Sequence, residues 1–154
     1  MSLDLVAPAV VIHLIRPGPE VLLMRRADTL NGIWMSAAGR VEKGETGWQA
    51  AVREAEEENG LVPHTLYSVD IVEQFYNIPR DRVVVLPVFV GLVDADARVR
   101  LNDEHDAFRW LGFDAAIERI EFGGQRRILR YIHEEFIERT PSPHLRVDLT
   151  RSPG

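Results

Sequence analysis

Residues 39–61 constrain this chain more than any other stretch, because they join a glycine-containing loop to a strongly acidic helix. Within the predicted helix, three glutamates are related by i, i+3 and i, i+4 steps: Glu54, Glu57 and Glu58. At 3.6 residues per turn they fall within an arc of about 100°. Like charges at this spacing repel one another, and carboxylate oxygens are ligands that suit Mg²⁺ or Mn²⁺. This face of the helix therefore predicts a divalent metal site.

The neighbouring stripe of the same helix is apolar and is predicted to pack on a sheet. It is formed by Trp48, Ala51, Val52 and Ala55. Glu56 points elsewhere and is expected to be solvated. The competing interpretation of such a Glu-rich run is a solvated helix face without a ligand.

The two ends of the predicted helix carry recognisable signals. Glu45 and Thr46 lie near its start, where negative charge and capping oxygens are favoured, and Gly60 follows its end. Arg53 and Glu54 are adjacent in sequence, so their side chains are expected to diverge. Glu45 on the preceding loop is the predicted ion-pair partner of Arg53, and it would brace the loop against the helix.

Taken together, these residues match the Nudix box, G-x5-E-x7-R-E-U-x-E-E-x-G-U with U an apolar residue, at every fixed position. The chain therefore resembles the Nudix hydrolases. The resemblance implies an α/β fold, an α/β/α sandwich with a mixed sheet, in which Arg53 orients the glutamates. We expect Glu54, Glu57 and Glu58, with the Gly39 carbonyl, to hold Mg²⁺, or alternatively Mn²⁺.

A second segment, residues 101–111, reads L-N-D-E-H-D-A-F-R-W-L and is similar to the E-H-x-x-[FY]-x-W-[LV] segment of several Nudix branches. One branch contains the dATP and dihydroneopterin triphosphate pyrophosphohydrolases, whose glutamate before the histidine lies at the active site. Glu104 corresponds to it and would act as a general base or as a further metal ligand, with a box glutamate as the alternative base. The simpler interpretation is a polar loop. His105 is a base, a ligand or a structural residue, and Phe108 and Trp110 are expected in the core.

The predicted function is Mg²⁺-dependent hydrolysis of a diphosphate linkage in a nucleoside triphosphate or related derivative, releasing a monophosphate and pyrophosphate. The predicted catalytic residues are Glu57, Glu54, Arg53 and Glu104. Alternative substrates are ADP-ribose or another nucleotide sugar, a dinucleoside polyphosphate and capped RNA. An alternative of another class is a nucleotide-sensing module without turnover.

Four residues outside the box are candidates for substrate contact. Arg25 and Arg26 are adjacent in a predicted strand, so only one of them faces the site. The alternative for either is a surface charge. Trp34 and Phe75 would stack on a base or pterin ring. For at least two of Trp34, Phe75 and Tyr76, however, core packing is the expected use.

Apolar runs outside the box predict further elements. Strands are expected at residues 10–15, 21–24, 66–75, 83–93 and 108–111, and helices at 113–120 and 125–139. Pro87 predicts an edge position or a bulge in its strand. We expect a single domain over residues 1–154, with a core at about 8–139. The tail, residues 140–154, is either loose or a strand that pairs with the sheet or with a second subunit.

Composition restricts the remaining function classes. The 154 residues carry a net charge of −6, which disfavours nucleic acid as a partner and favours a small nucleotide. Apolar runs do not approach the roughly 20 residues of a membrane span, and no signal peptide is recognisable. The chain contains no cysteine, which excludes disulfides and fits a cytoplasmic location.

Overall fold

The computed structural model describes residues 1–4, 9–28, 30 and 32–151, and it folds them into one nine-stranded sheet with helices on both faces. Pro8, at which the predicted core begins, and residues 152–154 of the predicted tail lie outside the described residues. The strands are β1 (Ser2–Asp4), β2 (Ala9–Arg16), β3 (Glu20–Arg26), β4 (Trp34–Met35), β5 (Ala37–Arg40), β6 (Thr65–Asn77), β7 (Arg82–Leu92), β8 (His105–Leu111) and β9 (Arg146–Val147). The helices are α1 (Gly47–Asn59), α2 (Phe113–Arg119) and α3 (Gly123–Ile132).

The sheet is mixed, as predicted. Its main path runs β4-β3-β2-β7-β6-β9, while β1 pairs with β7, β5 with β2 and β8 with β3. β2 and β7 are parallel, whereas β3 pairs antiparallel with β2 and β8. In the β2–β5 pair, Gly39 lies opposite Val10, which brings the start of the box into the sheet.

Two apolar layers follow from the alternation of side chains along β2. Val10, Ile12 and Leu14 belong to a core cluster that includes Ala51 and Ala55 of α1. Ile15 belongs to a second cluster, on which α2 and α3 pack through the side chains of Phe113, Ala116, Leu129 and Ile132. The sheet therefore has helices on both faces, and the predicted α/β/α sandwich is confirmed.

Helix α1 begins and ends at the predicted signals. Thr46 Oγ1 accepts a hydrogen bond from the Gln49 amide (3.2 Å), and Gln49 Oε1 accepts one from the Thr46 amide (2.9 Å). This reciprocal capping box satisfies two amides that helix geometry leaves free. Gly60 ends the helix at φ 76°, a conformation that favours glycine.

Pro87 lies in a central strand, so the edge-strand alternative is wrong. Within the described part of the chain, β1 pairs with residues 82–84 and β2 with residues 88–92, and Pro87 falls between these two paired segments. On the other side it faces Val72, where the register of β6 shifts between Ser68 and Val72. The bulge is therefore found in the strand beside the proline, where a missing N–H interrupts the ladder least.

The C-terminal tail pairs with the sheet. Val147 in β9 lies opposite Leu66 of β6, and Val147 and Leu149 pack on the first core cluster. Of the three alternatives, pairing with the chain's own sheet is the one observed. The last predicted helix is divided, because α3 ends at Ile132 and a π-helical turn, His133–Glu138, continues it. Within the described ranges, no helix is long and apolar enough to cross a membrane.

Candidate active site

Arg53 lies at the centre of the acidic face of α1. Its Nε and Nη2 atoms donate to the two carboxylate oxygens of Glu45 at 2.7 and 2.9 Å. Its Nη1 donates to Glu54 Oε1 at 2.8 Å and to Glu57 Oε2 at 3.1 Å. The predicted ion pair between Arg53 and Glu45 is therefore present. We call Arg53, Glu45, Glu54 and Glu57 the Arg53 cluster.

The expectation that Arg53 and Glu54 diverge is wrong. Neighbouring residues leave a helix about 100° apart, but the long arginine side chain returns along the helix, and its guanidinium reaches the Glu54 carboxylate. The same guanidinium donates to the Arg40 carbonyl at 2.7 Å, so it joins the loop to the helix. Its hydrogen bond also holds the pKa of Glu45 below the ordinary value. The guanidinium of Arg53 thus holds the carboxylates of Glu45, Glu54 and Glu57 in place through its N–H donors.

Gly39 lies against the Glu54 carboxylate. A Cβ atom at position 39 would overlap that carboxyl group, so the present position of the Glu54 carboxylate depends on glycine here. The side chain of Glu54 is 14% exposed, and burial raises its pKa against the opposing effect of Arg53. The close contact between β5 and α1 therefore places the Glu54 carboxylate beside the backbone of Gly39.

Glu58 is buried, although it belongs to the same acidic run. Its side chain is 1% exposed, and its Oε2 accepts a hydrogen bond from the Ala38 amide at 3.1 Å. Burial raises the pKa of Glu58 to about 9, and the nearby charges of Glu104 and Glu54 act in the same direction. A carboxyl group in this position needs a proton or a cation.

The loop before β8 brings Glu104 and His105 to Glu58. The Asn102 amide donates to the Glu58 carbonyl at 3.2 Å, and the Asn102 side chain accepts from the Glu104 amide at 3.1 Å. One side-chain ligand atom from each of Glu58, Glu104 and His105 lies within 4.8 Å of the others. We call these three residues the Glu58 cluster. Sequence reasoning did not identify Asn102, whose role depends on a contact between distant segments.

These residues fit a divalent cation on two observations. The carboxylates of Glu58 and Glu104 lie close enough to raise the pKa of Glu58. In addition, the His105 side chain is fully buried, and neither ring nitrogen has a hydrogen-bond partner among the described residues. Burial, followed by the charge of Arg26, lowers the pKa of His105, so the ring is neutral and can donate a lone pair.

The two candidate arginines separate as the strand alternation predicted. Arg25 bonds Asp106 at 2.6 Å, on an exposed surface. Arg26 bonds Asp28 at 2.6 Å, and its charge acts on Glu58 and Glu104. Arg26 is therefore the arginine on the side of the site, although both are already engaged in ion pairs.

Two of the three aromatic candidates are exposed and do not lie in the core. Phe75 is 42% exposed and Tyr76 49% exposed, so the expectation that at least two of Trp34, Phe75 and Tyr76 pack in the core is wrong. Trp34 is half-buried, and the guanidinium carbons of Arg25 and Arg119 lie 5.9 and 5.1 Å from its ring centroid.

Phe108, also predicted in the core, is 37% exposed. The reason is that β8 pairs with β3 alone within the described part of the sheet, which leaves β8 at an edge. Trp110 on the same strand packs on the first core cluster, as expected. An edge position reduces burial without changing the alternation of the strand.

Comparison with known proteins identifies the class that this fold and site define. The NUDIX domain model matches residues 5–132. An asymmetrical bis(5'-nucleosyl)-tetraphosphatase from Sus scrofa is 34% identical over 120 residues, which cover 75% of this chain and 79% of the relative. The solved structure of the E. coli dihydroneopterin triphosphate pyrophosphohydrolase has a TM-score of 0.70 at 22% identity, and the match covers 84% of this chain and 94% of that chain. The chain therefore belongs to the Nudix hydrolases, the class of pyrophosphohydrolases that the box predicted.

Another relative shares only part of its length with this chain. An octanoyltransferase from Myxococcus xanthus is 43% identical over 119 residues, which are 73% of this chain but 32% of that protein. This chain thus spans about a third of that relative. Its name refers to the activity of that longer protein, of which this chain matches only part.

Proposed function

We propose that this chain hydrolyses a phosphoanhydride bond of a nucleotide with the help of a divalent cation, Mg²⁺ or Mn²⁺. The observation that carries the proposal is the pair of carboxylate clusters at the C-terminal half of α1. One cluster is organised by Arg53, and the other is completed by a loop distant in sequence. Carboxylates that converge in this way suit a cation that keeps positions open for phosphate oxygens.

The cation would be held by Glu54, Glu57 and Glu58, with the Gly39 carbonyl as a further ligand. When bound, it neutralises charge on the phosphate oxygens and makes water a better nucleophile. Arg53 keeps Glu54 and Glu57 in place through its hydrogen bonds to both. Positioning of this kind matters because small displacements of catalytic groups reduce turnover strongly.

Glu104 is the candidate general base. It is exposed, and it lies across from Glu58 on a loop that the Asn102 side chain holds. It would accept a proton from the water that attacks phosphorus, with Glu57 as the competing base. The new bond forms between the water oxygen and phosphorus. The bond from that phosphorus to the bridging oxygen breaks, and the leaving phosphate takes the electron pair.

A dinucleoside polyphosphate is the first substrate to test. The relative from Sus scrofa, a tetraphosphatase by name, is similar over most of both chains. A nucleoside triphosphate such as dATP, or the related dihydroneopterin triphosphate, is the second candidate, favoured by residues 101–111. Phe75 is a candidate stacking partner for the base, and Arg26 is a candidate partner for phosphate. Trp34, the other aromatic candidate, packs on the second core cluster beside Arg119 of α2, on the face of the sheet opposite α1.

The experiment is a substrate panel in ¹⁸O-labelled water with Mg²⁺ or Mn²⁺, containing diadenosine tetraphosphate, dNTPs, dihydroneopterin triphosphate, ADP-ribose and capped RNA. Asymmetrical cleavage of the tetraphosphate would release ATP and AMP, and cleavage of a triphosphate would release a monophosphate and pyrophosphate. The labelled product identifies the phosphorus attacked. The proposal fails if no compound is hydrolysed by folded protein that binds the cation.

We infer that the partner is a small nucleotide, because the net charge of −6 disfavours a long polyanion. A cytoplasmic location, a single domain and a homodimer stay predictions. Light scattering after gel filtration would measure the oligomeric state, and a monomeric mass would remove the homodimer from consideration.

A further inference from the structure

His105 is a buried histidine whose environment calls for a ligand. Its side chain has no exposed surface, and both Nδ1 and Nε2 are without a hydrogen-bond partner within the described part of the chain. Buried polar atoms almost always have a partner, because leaving one unsatisfied costs about 1–3 kcal/mol. Packing alone leaves both nitrogens unsatisfied, whereas a bound cation would engage one of them.

Neither carboxylate of the Glu58 cluster satisfies the ring directly. The distance from His105 Nε2 to Glu58 Oε1 is 3.8 Å, which is too long for a hydrogen bond. It is, however, suitable for two atoms that share a cation. With bonds of about 2.1 Å, ligand atoms are separated by roughly 3.0 Å at right angles and by about 4.2 Å when opposite. The three ligand atoms lie within 4.8 Å of one another, so a shift below about 1 Å would complete the site.

The backbone fixes the positions of the three residues before any cation arrives, and a hydrogen bond also fixes the Glu58 side chain. Glu58 is fixed by the Ala38 amide, and the Ala27 amide donates to the Glu104 carbonyl at 2.9 Å. His105 begins β8 and pairs with Arg26 of β3. A preorganised arrangement of one imidazole and two carboxylates differs from an acidic surface patch, because its nitrogen ligand is already desolvated.

We propose that His105, Glu58 and Glu104 form a mixed nitrogen and oxygen site that selects a transition-metal cation such as Mn²⁺, Co²⁺ or Zn²⁺ over Mg²⁺. An imidazole nitrogen raises the affinity for Co²⁺ and Zn²⁺ most and for Mn²⁺ less, since Mn²⁺ also suits carboxylates, whereas Mg²⁺ prefers oxygen ligands and retains its water. The site shares Glu58 with the proposed magnesium site, but it is defined by the imidazole and does not require turnover. Its occupation would place a second cation beside the candidate base.

The test measures metal binding by the full chain without substrate. In pulsed electron paramagnetic resonance of bound Mn²⁺, we expect coupling to a nitrogen nucleus that changes when histidine is labelled with ¹⁵N. His105→Gln should remove this coupling and weaken Mn²⁺ and Co²⁺ binding by at least about 10-fold, with Mg²⁺ affinity changed by less than about 3-fold. Glu104→Gln should also weaken Mn²⁺ binding.

The matched control is His64→Gln, because His64 is exposed and bonds Thr65 outside the cluster. It should leave both the coupling and the affinities unchanged. Absence of histidine nitrogen coupling in the unmodified protein overturns the proposal, and so does coupling that persists in folded His105→Gln. The isotope experiment needs no substitution, so it decides the matter even where His105→Gln does not fold. Hydrolysis with Mg²⁺ alone tests the proposed function separately.

Discussion

The two clusters at the end of α1 contain similar side chains in opposite electrostatic states. In the Arg53 cluster, a guanidinium bonds three carboxylates, and the Glu57 side chain is 56% exposed. In the Glu58 cluster, the Glu58 side chain is 1% exposed, it accepts a hydrogen bond from one amide, and its neighbours are a carboxylate and a neutral imidazole. The comparison teaches that Glu54 and Glu57 have a cationic side chain beside them before any metal binds, whereas the buried Glu58 carboxyl group has no such ion pair among the described residues and needs a cation or a proton.

The largest expected effect comes from Glu57, an exposed carboxylate of the Arg53 cluster that is proposed to bind the cation. Glu57→Gln should lower kcat/KM by about 10³-fold, because a cation ligand contributes several kcal/mol to stabilisation of the transition state. Steady-state kinetics on the best substrate of the panel would measure the loss. Glu56→Gln is the matched control, since Glu56 is exposed on the same helix and should leave turnover unchanged. Full turnover by folded Glu57→Gln would falsify the site assignment.

A substitution of Gly39 can distinguish the effect of the Glu54 position on turnover from an effect on the stability of the fold. Gly39→Ala puts a methyl group where the Glu54 carboxylate lies, and that flexible side chain can move aside. We expect kcat/KM to fall about 10²-fold, with the free energy of unfolding changed by less than about 1 kcal/mol. Kinetics and urea unfolding would be compared with Gly124→Ala, where no neighbouring atom lies within 4 Å of the added methyl. Equal kinetics for the two variants would show that the position of Glu54 is unimportant.

The Glu58 cluster predicts an unusual dependence of stability on pH in metal-free protein. Below the ordinary pKa of 4.5, Glu58 is protonated in both the folded and the unfolded state. As pH rises towards about 9, the unfolded carboxyl ionises while the folded one keeps its proton, so the free energy of unfolding falls. Relative to Glu58→Gln, the Tm of the unmodified protein should fall by roughly 10–20 °C between about pH 5 and pH 9.

Thermal unfolding in the presence of EDTA would measure this difference. The comparison with Glu58→Gln cancels the other titrating groups, because the substitution keeps the shape of the side chain and an acceptor for the Ala38 amide. Saturating Mn²⁺ should restore the stability of the unmodified protein at high pH. Parallel Tm curves for the two proteins would mean that Glu58 ionises normally in the fold.

The smallest expected effect is the change in Mn²⁺ affinity of the Glu58 cluster when the charge of Arg26 is removed. Its positive charge influences both Glu58 and Glu104, although it bonds Asp28. Arg26→Gln should tighten Mn²⁺ binding by about 2–5-fold, because a charge in a partly exposed ion pair is worth about 0.2–1 kcal/mol. Arg25→Gln is the control, since Arg25 bonds Asp106 at the exposed surface. Titration calorimetry would measure both affinities, and equal changes would place the two arginines at the same distance from the cation.

Local signals predicted the helix and the contacts within it. The capping box at Thr46 and the αL glycine at position 60 define α1, and the Arg53–Glu45 pair joins residues eight positions apart. The order of the strands and helices fitted a sheet covered on both faces, and the resemblance to the Nudix hydrolases supplied the α/β/α sandwich. β1 was not predicted, because three residues with one apolar side chain carry no periodic signal.

Contacts between distant segments could not be predicted in the same way. The pairing of β9 with β6, the central position of Pro87 and the exposure of Phe75 all depend on which strands become neighbours. Burial is a property of that arrangement. A sequence pattern describes the faces of an element but does not say what covers them.

The sequence by itself determined the acidic face and its bracing, because the helical period places three glutamates together and the loop supplies the partner of Arg53, and the box they form determined the family. Only the tertiary structure decided that Glu57 is exposed while Glu58 is buried beside Glu104 and His105. The physical reason is that a helical spacing sets the relative directions of side chains. Their solvation, and therefore their charge, is set by the strand and the loop that pack against them.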